Sequence, residues 1–308
     1  MKSALIMGIT GGFGYHVARE LANNGWQLKA LMRTPEKLQT EFNQVEVIQG
    51  DAMNRADVNQ AAKGVDVIIY GISPANYRWD GVVMPMIDNV ASIAEDNQLT
   101  IVFPGNVYIF DPADGPEFTE VSSAHPVSPK GLQRLEMEQR LKQATEQGAR
   151  VINLRMGDYI GRGADSTWLK QMIKQTKNHY VLTTAGSIKL KHSWAYLPDA
   201  AKTIVKLLDR QTELDRYSEF NFKGFQASLN DIANAIREAS GKEVLFKNFP
   251  WLIIRILTPF GQLFKALVEM RYLWNYEVNL NQEKLQRVLK GNVPSTDLVS
   301  ALKSTGLL

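Results

Sequence analysis

The chain has 308 residues, 35 basic and 32 acidic residues with a formal net charge of +3, and no cysteine. The dispersed charge argues against a nucleic-acid-binding protein, and the lack of cysteine excludes disulfides, thiolate catalysis and thiolate zinc sites. The four histidines lack metal-ligand spacing, so no metal site is expected. The apolar run after Lys2 is broken by glycines from Gly8 onward and has no cleavage signature, so it is interpreted as the first strand rather than a signal peptide, and a cytoplasmic protein without stable membrane insertion is expected.

Strand and helix patterns alternate through the first half, which predicts an α/β fold with a Rossmann-type, doubly wound parallel sheet. Residues 1–160 are expected to form this dinucleotide-binding domain. Residues 161–308 are expected to form a smaller, mostly helical substrate-binding part, with a strand near 219–222 returning to the main sheet. The predicted strands are Ala4–Met7, Gln27–Met32, Val45–Gln49, Val65–Tyr70, Thr100–Phe103 and Arg150–Leu154. The predicted helices are Gly14–Asn24, Pro35–Glu41, Arg55–Ala62, Met84–Asn97, Lys130–Gln147, Asp165–Thr176, Pro198–Leu208 and Ser228–Ala239, with Ser228 as cap.

A glycine-rich turn with the spacing GxxGxxG follows the first predicted strand and leads into the first helix. Such a turn lets backbone amides approach a pyrophosphate at the positive end of a helix, so the pattern indicates a dinucleotide site. A glycine-rich connection without a ligand is the alternative. The cofactor-binding residues assigned to this turn are Gly8, Thr10, Gly11, Gly12, Phe13 and Gly14.

Charged residues after the second and third strands bear on which dinucleotide is bound. A free ribose 2′-hydroxyl is usually held by a carboxylate at the end of the second strand, but this chain offers Arg33 there, with Lys37 one helical turn further on. Two cations suit a 2′-phosphate, which favours NADP(H) over NAD(H), although both side chains would also serve as solvated surface charges. Asp51, after the third strand, is suited to accept a bond from the adenine amino group or to cap the next helix.

Two further segments bear on function: the turn after the fourth strand and an apolar segment near the end of the chain. The fourth strand ends in a turn of small residues that includes Gly71 and Ser73, where the backbone would run past the cofactor. The segment Pro250–Trp274 is rich in large apolar residues. Its charges and its Pro259 and Gly261 interrupt any membrane span, so a helical pair that covers a pocket or forms a subunit contact is favoured over binding to a lipid surface.

Taken together, the motifs resemble the extended and atypical short-chain dehydrogenase/reductase superfamily, in its nucleotide-sugar epimerase and dehydratase branch. The resemblance implies that a nicotinamide cofactor lies across the carboxyl ends of the strands, under a C-terminal part that closes over a small-molecule substrate, and it implies a homodimer. The matching features are the glycine spacing with His16 two residues beyond it, Asp51, the stretch 106–108, the stretch 154–161 and the stretch 194–201.

The chain departs from that superfamily at each usual catalytic position. The place of the hydroxyl residue falls on Pro104 or Gly105, and a Lys-Gly-x-x-Arg stretch replaces Tyr-x-x-x-Lys, with Lys130 at the tyrosine place and Arg134 at the lysine place. Arginine does not give up its proton, whereas a lysine with a depressed pKa is able to act as an acid or base. The resemblance also places Pro104, Lys130 and Arg134 beside the cofactor.

Several readings of the chemistry stay open at this point. Lys130 and Tyr108 are the candidate catalytic residues, although core packing is the simpler explanation for Tyr108 and for Tyr159 and Tyr196. An NADP(H)-dependent oxidoreductase or epimerase-type enzyme that acts on a small carbonyl or hydroxyl compound is favoured. The alternatives are a non-catalytic NADP(H)-sensing regulator of the nitrogen-regulator-like type and an assembly factor that uses Pro250–Trp274 as its contact.

Overall fold

The structure is a computed structural model that describes residues 2–74, 77–164, 167–306 and 308. In chain order, the strands are β1 (Ser3–Met7), β2 (Gln27–Met32), β3 (Glu46–Gln49), β4 (Val67–Tyr70), β5 (Thr100–Phe103), β6 (Glu117–Phe118), β7 (Arg150–Met156), β8 (Asp158–Ile160), β9 (Ile173–Gln175), β10 (His179–Thr184), β11 (Lys191–Tyr196), β12 (Tyr217–Phe222), β13 (Phe225–Ser228), β14 (Glu243–Asn248) and β15 (Asn279–Leu280). The α-helices are α1 (Gly12–Asn23), α2 (Arg55–Ala62), α3 (Val83–Asn97), α4 (Pro129–Glu146), α5 (Trp168–Met172), α6 (Leu197–Asp209), α7 (Leu229–Ser240), α8 (Trp251–Leu257), α9 (Gln262–Glu269), α10 (Glu283–Val288) and α11 (Leu298–Ser304).

The main sheet has seven parallel strands in the order β12-β7-β5-β4-β1-β2-β3. The strand order reverses direction at β1, which is the arrangement of a Rossmann-type sheet. This confirms the fold class predicted from the alternating strand and helix patterns. The strand β12 lies far along the chain but pairs with β7 along its whole length, from Tyr217 opposite Val151 to Phe222 opposite Met156.

Helices cover both faces of this sheet because its strands are apolar on both sides. In β1, Ala4 and Ile6 pack into one core with α1 and α6, whereas Leu5 and Met7 pack into a second core with α2, α3 and α4. A strand buried on both faces reads as a continuous apolar run, which is why the sequence located this sheet.

The C-terminal part contains helices and three small sheets, in the orders β14-β10-β9, β13-β11-β8 and β15-β6. Its own core forms around Trp194, Trp274, Tyr180 and Ile232. Most of these strands were not predicted, because they are short and pair with segments distant in the chain. The cap predicted at Ser228 is confirmed, since its side chain accepts from the Asp231 amide in a capping box at the start of α7.

Two predicted helices are wrong. Pro35–Glu41 forms two 3-10 turns, Pro35–Lys37 and Thr40–Phe42, because the extended backbone of Gln39 separates them. The segment predicted as Asp165–Thr176 holds only the short α5 and then turns into β9, which pairs with β10. Asp165 itself lies outside the described residues. Among the described residues, no helix is long and apolar enough to cross a bilayer.

Candidate functional site

The glycine-rich loop joins β1 to α1, and close backbone contacts fix two of its glycines. Gly8 has a φ of +89°, and a Cβ atom there would lie 2.4 Å from the Gly71 carbonyl oxygen. A Cβ atom on Gly14 would lie 2.2 Å from the Gly8 carbonyl oxygen. The ends of β1 and β4 and the first turn of α1 therefore pack backbone against backbone. A side chain at Gly8, Gly14 or Gly71 would push these elements apart.

Gly11 differs from its neighbours because the protein's own packing does not require a glycine there. A Cβ atom on Gly11 would meet only ordinary contacts, 3.4 Å from the Gly8 oxygen and 4.0 Å from the Gly71 oxygen. Gly11 is the N-cap of α1, and Tyr15 donates to its carbonyl oxygen at 2.8 Å as the first turn closes. The amides between them belong to the unsatisfied start of the helix, which fits a dinucleotide pyrophosphate that needs close backbone approach.

Two side chains of the glycine-rich loop point to different environments, one to solvent and one to the core. Thr10 is exposed, whereas Phe13 is buried in the core between the sheet and α6, so Phe13 offers a ligand only its backbone. Gly12 faces the segment after β8, because a Cβ atom there would lie 3.1 Å from the Ala164 nitrogen. Gly12 therefore allows the segment to approach the glycine-rich loop closely.

His16 anchors that neighbouring segment. Its Nε2–H donates to the Arg162 carbonyl oxygen at 3.1 Å, and burial lowers the pKa of His16 to about 4. The ring is therefore neutral at neutral pH and acts as a hydrogen-bond donor to the backbone. The sequence matched His16 to the family pattern but gave no partner for it, because Arg162 lies 146 residues away.

Two free cations lie after β2, at the edge expected to face the adenosine ribose. Arg33 follows the last residue of β2, and Lys37 ends the first 3-10 turn; both side chains are exposed. Within the part of the chain that the structure describes, neither side chain forms an ion pair or a hydrogen bond. Their charges are therefore not neutralised by the protein.

Asp51 follows β3 and is partly buried. Its carboxylate accepts a bond from the Met53 amide at 3.0 Å, whereas Asn54 caps α2 by accepting from the Ala56 amide. Asn54 is therefore the residue that caps α2. The Asp51 carboxylate instead stabilises the turn that follows β3.

The turns after β4 and β5 bring the next group of assigned residues to the same edge of the sheet. Ser73 is exposed, and Pro104 is buried. Arg134 of α4 donates to the Pro104 carbonyl oxygen at 2.5 Å, and its guanidinium lies 4.8 Å from the centre of the Phe103 ring. Burial lowers the pKa of Arg134, and its Nε is itself buried and has no hydrogen-bond partner among the described residues.

Lys130, at the start of α4, is buried and already paired. Its Nζ lies 2.8 Å from Oε2 of Glu269, and its backbone amide donates to Oε1 of the same carboxylate at 2.8 Å. Only 4% of the Lys130 side chain and 18% of the Glu269 side chain are exposed. Glu269 ends α9, so one carboxylate ties the C-terminal part to the position where the family usually has tyrosine. Sequence reasoning missed this partner.

Tyr108 lies in a 3-10 turn after β5, and its amide donates to Asn106 Oδ1 at 3.0 Å. Its ring stacks on Trp79 at 6.4 Å between centroids, and its hydroxyl interacts with that of Tyr77. Burial raises the pKa of Tyr108 well above its ordinary value. The hydroxyl is therefore protonated at neutral pH and is a donor.

Asp158, the first residue of β8, is the titratable partner in this cluster. Burial raises the pKa of Asp158 to about 7, and hydrogen bonds from backbone amides oppose that rise. The Tyr159 amide donates to Oδ1 at 3.1 Å, and the Trp168 and Leu169 amides also interact with this carboxylate. The negative charge of Asp158 also contributes to the raised pKa of Tyr108, so the two side chains influence each other's charge.

A buried ion network holds these elements in place. Arg155 of β7 is fully buried and binds both Glu138 of α4 and Glu219 of β12. It also donates to the Asn106 carbonyl oxygen at 2.6 Å, next to Tyr108. The sequence showed Arg155 within a family motif, but its two carboxylate partners lie on other elements. Within the described residues, no group of three or more His, Asp or Glu side chains could hold a metal ion.

The chain matches known proteins at several levels. The model of the NAD dependent epimerase/dehydratase family matches residues 4–222. Over 64 residues the chain is 41% identical to a (4-alkanoyl-5-oxo-2,5-dihydrofuran-3-yl)methyl phosphate reductase of Streptomyces griseus subsp. griseus, and that match spans 21% of this chain and 22% of the reductase.

Solved structures agree over nearly the whole chain. UDP-glucuronic acid 4-epimerase of Bacillus cereus in complex with NAD has a TM-score of 0.74 at 16% identity, covering 98% of this chain and 97% of that one. The Bordetella bronchiseptica enzyme WbmH in complex with NAD+ has a TM-score of 0.73 at 17% identity, covering 99% and 97%. At these identities the likeness shows the fold. The family match over residues 4–222, which includes the glycine-rich loop and β12, shows that the chain belongs to the NAD dependent epimerase/dehydratase family.

Proposed function

We propose that this chain is an NADP(H)-dependent oxidoreductase or epimerase/dehydratase-type enzyme that acts on a small carbonyl or hydroxyl compound without the usual Ser/Tyr/Lys triad. The observation that carries the proposal is the glycine-rich loop, where packing does not require a glycine at Gly11, at the same carboxyl edge of the sheet as the buried Tyr108 after β5 and the titratable Asp158 after β7. A cofactor-binding loop beside a titratable cluster is the arrangement that hydride transfer coupled to proton transfer needs.

The preference for NADP(H) is supported by the unpaired cations at Arg33 and Lys37. An arginine that is free of protein carboxylates is able to bind a 2′-phosphate with two parallel hydrogen bonds, and Arg33 occupies the position directly after β2 where a carboxylate would hold a free 2′-hydroxyl. Gly71, Ser73 and Pro104 would line the path of the cofactor between the loop and the reacting end.

The NADP(H) preference is tested by dissociation constants for NADPH and NADH. We expect Arg33→Ala to weaken NADPH binding by about tenfold or more and to leave NADH binding nearly unchanged, since a charged hydrogen bond contributes about 1.5–3 kcal/mol. Lys63→Ala, an exposed lysine on the far end of α2, is the matched control. Equal affinities for the two cofactors in the unmodified protein would contradict the preference.

The acid–base role is proposed for Tyr108 and Asp158 together. When bound, the nicotinamide ring would give or accept a hydride at the substrate carbon. The Tyr108 hydroxyl would donate to the substrate oxygen, and Asp158 would exchange the proton because its pKa lies near 7. Arg134 would hold the cofactor or substrate through its unpartnered Nε, and Lys130, paired with Glu269, would act as an acid or base only when that carboxylate moves away.

A substrate screen tests this role. NADPH oxidation is followed with aldehydes, ketones and phosphorylated lactones, and UDP-glucuronic acid is tested for epimerisation with bound cofactor. For any substrate found, we expect Tyr108→Phe and Asp158→Asn each to lower kcat by about 100-fold or more while the dissociation constant for NADPH stays within about twofold. Retained kcat in both variants, with loss in Lys130→Ala, would move the role to Lys130.

A non-catalytic NADP(H)-sensing regulator is the second candidate. The ion pair between Lys130 and Glu269 favours it, because the residue at the tyrosine position is held by the protein itself. Turnover of any compound in the screen would count against this reading, whereas tight NADPH binding with no turnover would favour it.

A further inference from the structure

The outer surface of α8, the 3-10 turn that follows it and the start of α9 exposes a group of large apolar side chains, which we call the apolar cap. The residues of the apolar cap and their exposed fractions are Leu252 (73%), Ile253 (56%), Ile256 (64%), Phe260 (80%) and Leu263 (39%). In α8 not one residue is buried. Single exposed apolar residues are common on proteins. Five of them within twelve positions of one segment form a patch of the kind that marks an interaction site.

The apolar cap is firmly attached to the rest of the protein by its inner side. Trp251 donates from Nε1 to the Ala185 carbonyl oxygen at 2.8 Å, and its ring lies 4.6 Å from that of Phe249. At the other end, Glu269 binds Lys130. Leu252 and Ile256 are four positions apart and share one outward face of α8. The exposure is therefore a property of an ordered element.

The charges of the segment 249–271 have one sign on its outer side. Its basic residues are Arg255, Lys265 and Arg271, all exposed, and none of them forms an ion pair within the described residues. Its one acidic residue, Glu269, is turned inward to Lys130. The surface therefore combines large apolar side chains with unpaired cations and offers no exposed carboxylate.

We propose that the apolar cap docks on the surface of an anionic lipid bilayer, with α8 and α9 lying in the plane of the headgroups. Apolar side chains enter the acyl boundary, and Arg255 and Lys265 meet anionic headgroups. Helices of seven and eight residues are too short to span, so the contact is peripheral. A second copy fits less well, because a two-fold contact through this patch would bring the same unpaired cations together.

The test is sedimentation of the full chain with vesicles of phosphatidylcholine alone or of phosphatidylcholine mixed with phosphatidylglycerol. We expect binding to the mixed vesicles, weaker binding in high salt, and little binding to the neutral vesicles. The triple variant Leu252→Ser/Ile256→Ser/Phe260→Ser is expected to lower partitioning by about tenfold or more, since three exposed apolar side chains are removed. Arg255→Glu/Lys265→Glu is expected to remove the preference for anionic vesicles.

Met53→Ser and Lys63→Glu, an exposed apolar and an exposed basic position near α2, are the matched controls and should bind as the unmodified protein does. Circular dichroism and thermal unfolding check that each variant is folded. The proposal is overturned if the unmodified protein sediments with neither vesicle type, or if the triple variant binds anionic vesicles as well as the unmodified protein does. It is also overturned if sedimentation shows a dimer that the triple variant abolishes, since a second copy would then be the partner.

Discussion

The glycine-rich loop and the Lys130 region lie at one edge of the same sheet but are held by different kinds of interaction. At the loop, the positions of Gly8 and Gly14 are fixed by backbone atoms of β1, β4 and α1. At the start of α4, the position of the Lys130 ammonium is fixed by a side chain 139 residues away, Glu269. The first set of contacts is made by the backbone within the main sheet and its first helix, and the second depends on how the C-terminal part packs.

The difference shows why family membership does not settle the chemistry of this chain. Backbone contacts at Gly8 and Gly14 accept only glycine, so two glycines of the cofactor pattern are required by the fold itself. The residues at the family's catalytic positions are free to change, provided that their charges find partners. Here Lys130 is neutralised by Glu269, and Arg134 bonds to the Pro104 carbonyl, so the altered residues are accommodated as parts of a well-paired interior.

The largest expected effect comes from Gly14→Ala. Its Cβ atom would lie 2.2 Å from a backbone oxygen that has no room to move, because β1 is paired on both sides. We expect the free energy of unfolding to fall by more than about 5 kcal/mol, with loss of the fold at 25 °C by circular dichroism.

Gly11→Ala is the matched comparison within the same loop. Because its Cβ atom would meet only ordinary contacts, we expect this variant to fold with a similar Tm and to lose most of its affinity for NADPH. If Gly11→Ala unfolded like Gly14→Ala, the loop would be glycine-rich for packing alone. If it bound NADPH as tightly as the unmodified protein, the ligand would not approach Gly11.

The next effect tests the Lys130 region. Glu269→Ala removes the partner of a buried ammonium, so we expect a loss of about 4 kcal/mol in the free energy of unfolding, measured by urea denaturation.

The double variant Lys130→Met/Glu269→Leu supplies the control. It removes both charges and keeps similar volumes, so we expect it to recover most of the stability that Glu269→Ala loses. Equal destabilisation by the single and double variants would mean that the loss comes from the other contacts of Glu269, such as its bond from the Lys130 amide, and not from an unpaired ammonium.

Much of the fold was predictable because its signals are local. The apolar strands of the main sheet, the turn at Gly8 and the cap at Ser228 each depend on residues a few positions apart, and each is present. The helix predicted at Pro35–Glu41 is wrong because Leu38 and Gln39 are extended and divide the segment into two 3-10 turns, the second of which buries Phe42. The small C-terminal sheets were missed because strands such as β9 and β14 form only by pairing with β10, which their own sequences do not indicate.

The candidate site was predictable to the extent that it follows from strand ends. Arg33, Asp51, Gly71 and Pro104 lie after successive strands of the main sheet, as predicted. The partners that determine their chemistry were not predictable, since Glu269, Arg162 and Glu219 come from remote elements. The sequence places Asp158 only within the matching stretch 154–161, because burial, which raises its pKa, is not visible in a sequence.

The smallest effect concerns Asp158 and is read from the pH dependence of stability. Burial raises its folded-state pKa from 3.8 to about 7, so between these values the folded protein holds a proton that the unfolded chain has released. The contribution of Asp158 to stability therefore falls as pH rises from about 4 to 7, by about 2 kcal/mol once partial solvent contact is allowed for. Asp158→Asn, which stays neutral, should remove this fall, so that the difference in unfolding free energy between variant and unmodified protein grows with pH. Urea denaturation at pH 4.5, 6 and 8 measures the difference. A constant difference over that range would mean that Asp158 is ionised throughout, and proton exchange with Tyr108 near neutral pH would lose its basis.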